Sequence, residues 1–230
     1  MRRDTFTTPG GIIVKSRLIA LLILLSAGSP PARAEDDGAA WKVRRDRDGI
    51  EVSVRPVQGS PHAQIRARMV LDVSVASIVA LLRDKDACGD WIAYCAEARV
   101  LERFGKRQAL SYTWTDMPWP IRDRDVVARV YLERDAASGV VRFSADADPE
   151  ALPEESGRIR LRHASTRWVL TPTDEGIDIE LRTHVDPASA VPAWILNSLI
   201  VDAPHGTLSR MRNLLQSGRY ADADLALFDD

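Results

Sequence analysis

The side chains best suited to chemistry gather in one short segment of the chain. It reads Met117-Pro118-Trp119-Pro120-Ile121-Arg122-Asp123-Arg124-Asp125 and ends where a strand-like alternation begins. A charge carried into an apolar interior needs a partner, because burying it alone is costly. Arg124 or Asp125 could therefore point into a cavity and bind the polar head of a ligand. The alternative is an ion pair that holds the start of the strand in place.

The aromatic and thioether side chains around this segment suit an apolar ligand. Trp114, Met117 and Trp119 flank the same turn, and such groups accommodate varied apolar molecules. Tyr112 precedes Trp114 by two residues, so in a strand it shares that face and offers a hydroxyl to a polar group. We expect these four side chains to line a cavity; packing in the core or at its rim is the alternative.

Motifs of the common enzyme classes are absent from the sequence. His-Glu-x-x-His, Gly-x-Ser-x-Gly, the P-loop and Gly-x-Gly-x-x-Gly do not occur, and the four histidines are scattered. Asp123 and Asp125 have an Asp-x-Asp spacing, but no third metal ligand lies near them in sequence. We therefore expect no catalytic residue, no metal and no cofactor. The alternative is an enzyme in which Arg124, Asp125 or Tyr112 polarises a substrate carbonyl.

The elements that must position these residues are mostly strands. Apolar and polar residues alternate with a period of two, which is typical of half-buried strands. The alternation covers Ile50–Val54, Ile65–Leu71, Val126–Leu132, Val141–Ala145 and Ile177–Val185. Turn signals such as Asp48-Gly49 separate the stretches. One-sided strands of this kind predict an antiparallel sheet with one covered face.

In one predicted strand, the apolar residues change from odd-numbered to even-numbered positions. Ile159 and Leu161 are odd-numbered apolar positions, whereas Trp168 and Leu170 are even-numbered. A β-bulge near residues 163–165 would put both pairs on the buried face and bend the strand. The change of parity therefore predicts a bulge and a strongly curved sheet.

Helical periodicity appears in three places. Val75–Leu82 follows Ser74, a suitable N-cap, and a second short helix is predicted over 86–94. The longest helical pattern covers 190–217, where Pro204 predicts a kink or a break. Strands followed by one amphipathic C-terminal helix predict an α+β fold, in which a curved sheet closed by that helix encloses a cavity.

The C-terminal helix should cover the concave face of the sheet, the only large apolar surface left for it. Its apolar residues, which would contact either a ligand or only the sheet, are Trp194, Val201, Leu208 and Met211. Asn197, close to Trp194, could bond a polar head group; a cap or a structural hydrogen bond is the alternative.

The N-terminal segment has the layout of a signal peptide. The chain has 230 residues and a formal charge of −2, but residues 1–34 carry a net charge of +4. A basic flank precedes the apolar run Leu18–Leu25, which is followed by helix breakers and Ala32-Arg33-Ala34. The run is too short for a membrane span, which needs roughly 20 residues. We expect cleavage after Ala34 and a periplasmic or secreted protein.

The remaining chain divides into a lead-in at 35–40, one domain at 41–218 and an acidic tail at 219–230, for which disorder is the simplest expectation. After cleavage the net charge would be −6, which argues against binding to nucleic acid.

The two cysteines, Cys88 and Cys95, are seven residues apart. On one continuous helix their Cα atoms would be about 10.5 Å apart, whereas a disulfide needs less than about 7 Å. Gly89 could break the helix and allow the bond, which an oxidising compartment would favour. A disulfide and two buried thiols both remain open.

The segment Met117–Asp125 resembles the START (StAR-related lipid-transfer) domain family, in which Pro-Trp-Pro followed by an Arg-Asp pair leads into a strand. Further fragments with consistent order extend the resemblance over about 41–217; they include Gly49-Ile50-Glu51-Val52, the stretch from Asp84 through Trp91 to Glu102, and Pro192-x-Trp194-x-x-Asn197. The resemblance implies a helix-grip fold with a tunnel for one lipid or other hydrophobic molecule.

The resemblance and the residues together predict a monomeric, non-catalytic carrier of such a molecule. Transient contact of this carrier with a membrane is compatible with the prediction. The alternatives are a helix-grip enzyme and an envelope interaction module without a ligand.

Overall fold

The computed structural model describes residues 39–189 and 193–229; the predicted signal peptide lies outside them. The strands are β1 Lys42–Arg47, β2 Ile50–Arg55, β3 Gln64–Leu71, β4 Cys95–Arg103, β5 Gln108–Thr115, β6 Arg124–Arg134, β7 Val141–Ala147, β8 Ile159–Arg160, β9 Ala164–Thr173 and β10 Gly176–Val185. The α-helices are α1 Val75–Arg83, α2 Cys88–Trp91, α3 Ala193–Asn197 and α4 Ala203–Gln216.

Nine of the strands form one antiparallel path in the order β1-β2-β3-β10-β9-β7-β6-β5-β4. The two-residue strand β8 pairs parallel with the start of β6. The large curved sheet with its C-terminal helix confirms the predicted α+β helix-grip fold. Within the described part of the chain, none of the helices combines the length and the apolar character needed to cross a bilayer.

The turn between β1 and β2 shows why the strands meet in this register. Asp48 and Gly49 form a two-residue hairpin turn, and both have a positive φ, 55° and 69°. Positive φ at both central residues matches the right-handed twist of the flanking strands, and the Asp-Gly sequence is suited to it.

The main core lies between the concave face of the sheet and α4. Leu208 and Met211 of α4 are completely buried and Leu215 almost so. They join one apolar cluster with residues of β2 and β3, among them Ile50 and Met69. Burial of this stripe is what holds the helix against the sheet, since removal of apolar area from water is the dominant favourable term in folding.

The C-terminal helical run is interrupted beside Pro204, as the sequence predicts. Between α3 and α4, residues Ser198–Asp202 form a π-helical turn in which the Ala203 amide donates to the Ser198 carbonyl. Pro204 has no amide hydrogen, so the Ile200 carbonyl cannot receive the hydrogen bond of a regular α-helix. The predicted kink therefore takes the form of a wide turn.

The predicted bulge near residues 163–165 is wrong. The chain forms β8, leaves the sheet after Arg160 and begins β9 at Ala164. The side chain of Arg160 holds the chain at this point, because it donates two hydrogen bonds of 2.9 Å to the Asp125 carboxylate. Both side chains are 1% exposed, and Arg160 also donates to the carbonyls of Pro149, Leu152 and Pro153. The ion pair fastens the segment between β7 and β9 to the start of β6.

Residues 219–229 of the acidic tail pack against the domain, contrary to the expectation of disorder. Leu225, Leu227 and Phe228 are partly buried against the core. Tyr220 donates a hydrogen bond of 2.8 Å to Asp84. Burial, together with this hydrogen bond, raises the pKa of the Tyr220 phenol to about 12. Apolar residues between the aspartates thus anchor the tail.

Cys88 and Cys95 form a disulfide, with Cα atoms 5.8 Å apart. Helix α2 ends at Trp91, and Tyr94 has a φ of 61°, which turns the chain back toward α2. The helix is thus shorter than the predicted 86–94, and this brings the two cysteines together. The bond joins α2 to the first residue of β4.

We expect reduction of this disulfide to lower the free energy of unfolding by about 2–3 kcal/mol, because the bond closes a short loop in the unfolded chain. Urea denaturation with and without reductant measures the loss. The double variant Cys88→Ser/Cys95→Ser is the control and should not respond to reductant; a response would assign the effect to something other than this bond.

We expect Arg160→Met to lower the free energy of unfolding by about 3–5 kcal/mol, because it leaves the Asp125 carboxylate buried and unpaired. Arg162→Met is the matched control: Arg162 is half exposed and pairs with Glu150 and Glu154 at the surface, so its loss should cost less than about 1 kcal/mol. Urea denaturation compares the two variants. Equal losses would contradict the role given to the buried pair.

Candidate ligand-binding cavity

A cavity of about 340 Å³ lies between the sheet, the end of α1, the α2 segment and the C-terminal helical run. Its sheet wall consists of Ile65, Ser111, Thr113, Val126, Ala128, Val130, Phe143, Ala145, Thr166, Trp168, Leu181 and Thr183. Its other wall consists of Leu82, Lys85, Trp91, Ile92, Ala93, Leu199, Ala203, Pro204 and Thr207. Most of these side chains are apolar, as in small-molecule sites generally.

The register of β5 and β6 decides which residues line this cavity. Val126 pairs with Thr113, and Ala128 pairs with Ser111. Directly paired residues share a face of the sheet, and successive residues alternate between faces. Ser111 and Thr113 of β5 therefore share one face with Val126, Ala128 and Val130 of β6, and this face lines the cavity.

The hydroxyl groups of the cavity are largely occupied by protein partners. Ser111 donates to the Ala128 carbonyl at 3.4 Å, and the Thr207 hydroxyl accepts the Ala93 amide at 3.1 Å. The Trp91 indole nitrogen, in contrast, is buried with no hydrogen-bond partner among the described residues. A buried donor without an acceptor costs free energy.

Tyr112 and Trp114 lie on the opposite, convex face, so the expectation that they line the cavity is wrong. They belong to a separate apolar cluster with Leu110 and Val127. Arg158 covers them: its guanidinium stacks 3.9 Å from the Trp114 ring centroid and donates to the Tyr112 hydroxyl at 2.5 Å. Burial and the nearby Asp125 carboxylate raise the pKa of the Tyr112 phenol. The two aromatic residues share a face, as predicted, but it is the face away from the cavity.

Asp125 also lies on the convex face, in its ion pair with Arg160. That hydrogen-bonded pair raises the pKa of the Arg160 guanidinium. Asp125 therefore takes part in an ion pair that holds the start of β6, which is the alternative to ligand binding that the sequence left open. Its partner in this pair is Arg160.

Arg124 is buried at the start of β6 but does not line the cavity. It donates to the Arg122 carbonyl and, at 2.9 Å, to the Ser189 hydroxyl. Burial, with a smaller contribution from Arg122, lowers the pKa of the Arg124 guanidinium. Its contacts connect the loop before β6 to the segment after β10.

The loop before β6 stands outside the cavity. Trp119 is 89% exposed. Asp123 accepts hydrogen bonds from the Trp114 indole at 2.9 Å and from the Met117 amide at 3.1 Å. Met117 and Trp119 are therefore parts of a structured surface turn, and the expectation that they line the cavity is wrong.

The C-terminal residues that line the cavity are not those predicted. Val201, Leu208 and Met211 are buried in the protein but do not lie on the cavity wall. Asn197 is exposed and accepts a hydrogen bond of 3.4 Å from Arg44. Trp194 lies in α3, and its side chain is outside what the structure describes. Val201 and Leu208, which are seven residues apart, belong to the stripe that packs on the sheet, whereas the cavity wall lies on an adjacent part of the helix surface.

None of the cavity-lining residues was among the site residues predicted from the sequence, and the short and hydroxylated ones, such as Ser111, Thr113 and Ala128, form one recognisable group among them. Alternation places them on one face, and their small size would be a signal for empty space beside that face. Among the described residues, no group of three or more histidine, cysteine or acidic side chains is arranged to hold a metal ion.

Comparisons with known proteins agree with this architecture. A family model of the START domain matches residues 32–217. An uncharacterized protein of Pseudomonas aeruginosa is 36% identical over 202 residues, which cover 87% of this chain and 96% of that protein.

Two solved structures are similar to this one. The STAR-related lipid transfer protein (fragment 25–204) from Xanthomonas axonopodis has a TM-score of 0.70 and 31% identity, with 76% of this chain and 98% of that chain covered. Human StAR-related lipid transfer protein 5 has a TM-score of 0.70 and 18% identity, with 79% and 88% covered, and shares the fold. The chain therefore belongs to the START domain family, which binds lipids and other hydrophobic ligands.

Proposed function

We propose that this protein binds one lipid or other hydrophobic small molecule in its cavity and carries it without chemical change. The observation that supports this is the apolar cavity between the sheet and the C-terminal helical run. Burial of a ligand there would stabilise the complex by roughly 25 cal/mol per Å² of apolar surface removed from water. The similarity to a bacterial protein named for lipid transfer supports the same class of ligand.

The size of the cavity favours a slender or compact ligand. Its volume of about 340 Å³ is near the lower end of the roughly 300–1,000 Å³ of small-molecule pockets. We therefore expect a single hydrocarbon chain or a small ring system rather than a lipid with two long chains.

The enzymatic alternative has little support from the positions of the residues on which it depends. Tyr112 and Asp125 lie on the convex face, and Arg124 is committed to Ser189 and the Arg122 carbonyl. The charged side chain that the described structure places on the cavity wall is Lys85. A carrier without catalysis needs none of these groups in the cavity.

An exported, periplasmic or secreted location is part of the proposal. The signal-peptide layout of residues 1–34 supports it, and so does the disulfide, because such bonds persist in oxidising compartments. We further propose a monomer that touches membranes briefly to load and unload. Exposed Trp119 suits such contact, since tryptophan favours the boundary between water and lipid.

We propose that part of the cavity wall moves when the ligand enters. Leu199, Ala203 and Pro204 lie on that wall, within or beside a π-helical turn that lacks regular α-helical hydrogen bonds. We propose this segment as the part that opens, because the disulfide restrains the α2 side of the cavity.

The test is native mass spectrometry of the protein purified from periplasm, followed by organic extraction. We expect a stoichiometric excess of mass that organic solvent releases. A protein that stays free of ligand after incubation with cell lipids would overturn the proposal, and capture of a protein partner would then favour an interaction module.

A variant that fills the cavity should abolish loading. We expect Ala145→Phe to reduce ligand occupancy at least about tenfold, because overpacking costs about 1–3 kcal/mol. Ala96→Phe, on the exposed surface of β4, is the matched control and should load normally. Native mass spectrometry measures both, and thermal denaturation checks that both are folded; equal loading of the two folded variants would contradict the cavity as the site.

A further inference from the structure

A small recess beside the cavity has a strongly basic rim. The recess, about 40 Å³ in volume, lies between the end of α1 and the hairpin that joins β4 to β5. We call it the basic recess; its positively charged residues are Arg83, Lys85, Arg103, Lys106 and Arg107. Of the residues that the structure describes, no aspartate or glutamate lines it.

The basic recess and the cavity share part of their walls. Lys85, Ser111, Val130 and Phe143 line both. Along β6, Val126, Ala128 and Val130 line the cavity and Val130 and Leu132 line the recess. At the rise of a strand, Val126 and Leu132 are about 20 Å apart, which leaves room for an extended hydrocarbon chain beneath a head group.

Lys85 lines both spaces and forms no ion pair with the residues that the structure describes. Its ammonium donates one long hydrogen bond, 3.5 Å, to the Leu82 carbonyl and lies 5.7 Å from the Phe143 ring centroid. None of the described carboxylates is within ion-pair distance of it. Burial, and then the charges of Arg103 and Arg83, lower the pKa of the Lys85 ammonium. The molecule thus holds a partly buried cation among other cations.

Arg83 and Arg103, the two arginines whose charges act on Lys85, are not held in ion pairs with any of the described residues. Three carboxylates, those of Asp84, Asp222 and Asp224, line a separate cleft that these two arginines also border. Asp84 is already bonded to Arg219 and Tyr220. Lys106 donates to the backbone carbonyl of Asp229 at 2.7 Å, which leaves its charge in place.

We propose that the ligand is an amphiphile with an anionic head, a carboxylate or a phosphate, which Lys85 binds at the basic recess while the apolar part fills the cavity. This inference rests on the proposed function and specifies its ligand class. An anion accepts charge-assisted hydrogen bonds from the ammonium and offsets the mutual repulsion of Lys85, Arg83 and Arg103. An uncharged head would leave that repulsion unrelieved.

Isothermal titration calorimetry with matched twelve-carbon probes tests the proposal on the delipidated protein. The probes are dodecanoate, dodecyl phosphate and dodecan-1-ol, with inorganic phosphate alone as a fourth arm. We expect one or both anionic probes to bind at least about tenfold more tightly than the alcohol, the scale of a hydrogen bond to a charged group. Which of the two binds more tightly identifies the head group.

Substitutions at Lys85 show whether the preference arises at this residue. Lys85→Met should reduce the preference for the anion about tenfold and leave affinity for dodecan-1-ol nearly unchanged, whereas Lys85→Arg should retain the preference. Lys42→Met is the matched control on the exposed surface of β1 and should behave like the unmodified protein. Thermal denaturation confirms that each variant is folded.

The outcomes separate this inference from the proposed function. Equal binding of anion and alcohol, or an anion preference that survives Lys85→Met, overturns the inference and leaves the carrier function in place. Failure of all three twelve-carbon probes, with no ligand in native mass spectrometry, overturns both. If inorganic phosphate binds as tightly as dodecyl phosphate, the recess is a simple anion site, and the proposal that the ligand is an amphiphile is overturned.

Discussion

The position of the cavity follows from the way α4 packs against one end of the concave sheet. The helix meets the sheet mainly at β2 and β3, where Leu208 and Met211 become fully buried. The sheet is wider than one helix can cover, so β5, β6 and β7 curve past the helix with space beneath them. The cavity is a geometric result of this mismatch, and its lining of small and apolar side chains keeps the space open.

The convex face of the sheet is covered as well, by the segment between β7 and β9. The buried pair of Asp125 and Arg160 fastens that segment, and Arg158 closes it over Tyr112 and Trp114. Such a pair is weak evidence for stability in itself, because desolvation of two charges offsets most of their attraction. Its geometric effect is clearer: it directs the chain out of the sheet between β8 and β9 and gives β6 two covered faces.

Much of the fold could be predicted from the sequence, because strand and helix periods report which residues share a face. The alternation over Val126–Leu132 and the proline at 204 both led to correct elements. The site was harder to predict, because parity does not tell which face is concave when both faces are buried. Tyr112 and Trp114 form as good an apolar face as the cavity wall does. Lys85 follows α1 with no motif around it, and its importance depends on distant residues of the β4–β5 hairpin.

The wide turn at Ser198–Asp202 sets the rotation of α3 relative to α4. A π-helical turn holds about one residue more than an α-helical turn, so a return to α geometry would rotate α3 by about 100° relative to α4. Such a rotation would bring Leu196, now 37% exposed, to the place of Ile195, now 2% exposed. Both side chains are aliphatic and of equal size, so either register buries a similar apolar surface. For this pair of side chains, the two registers therefore differ little in hydrophobic free energy.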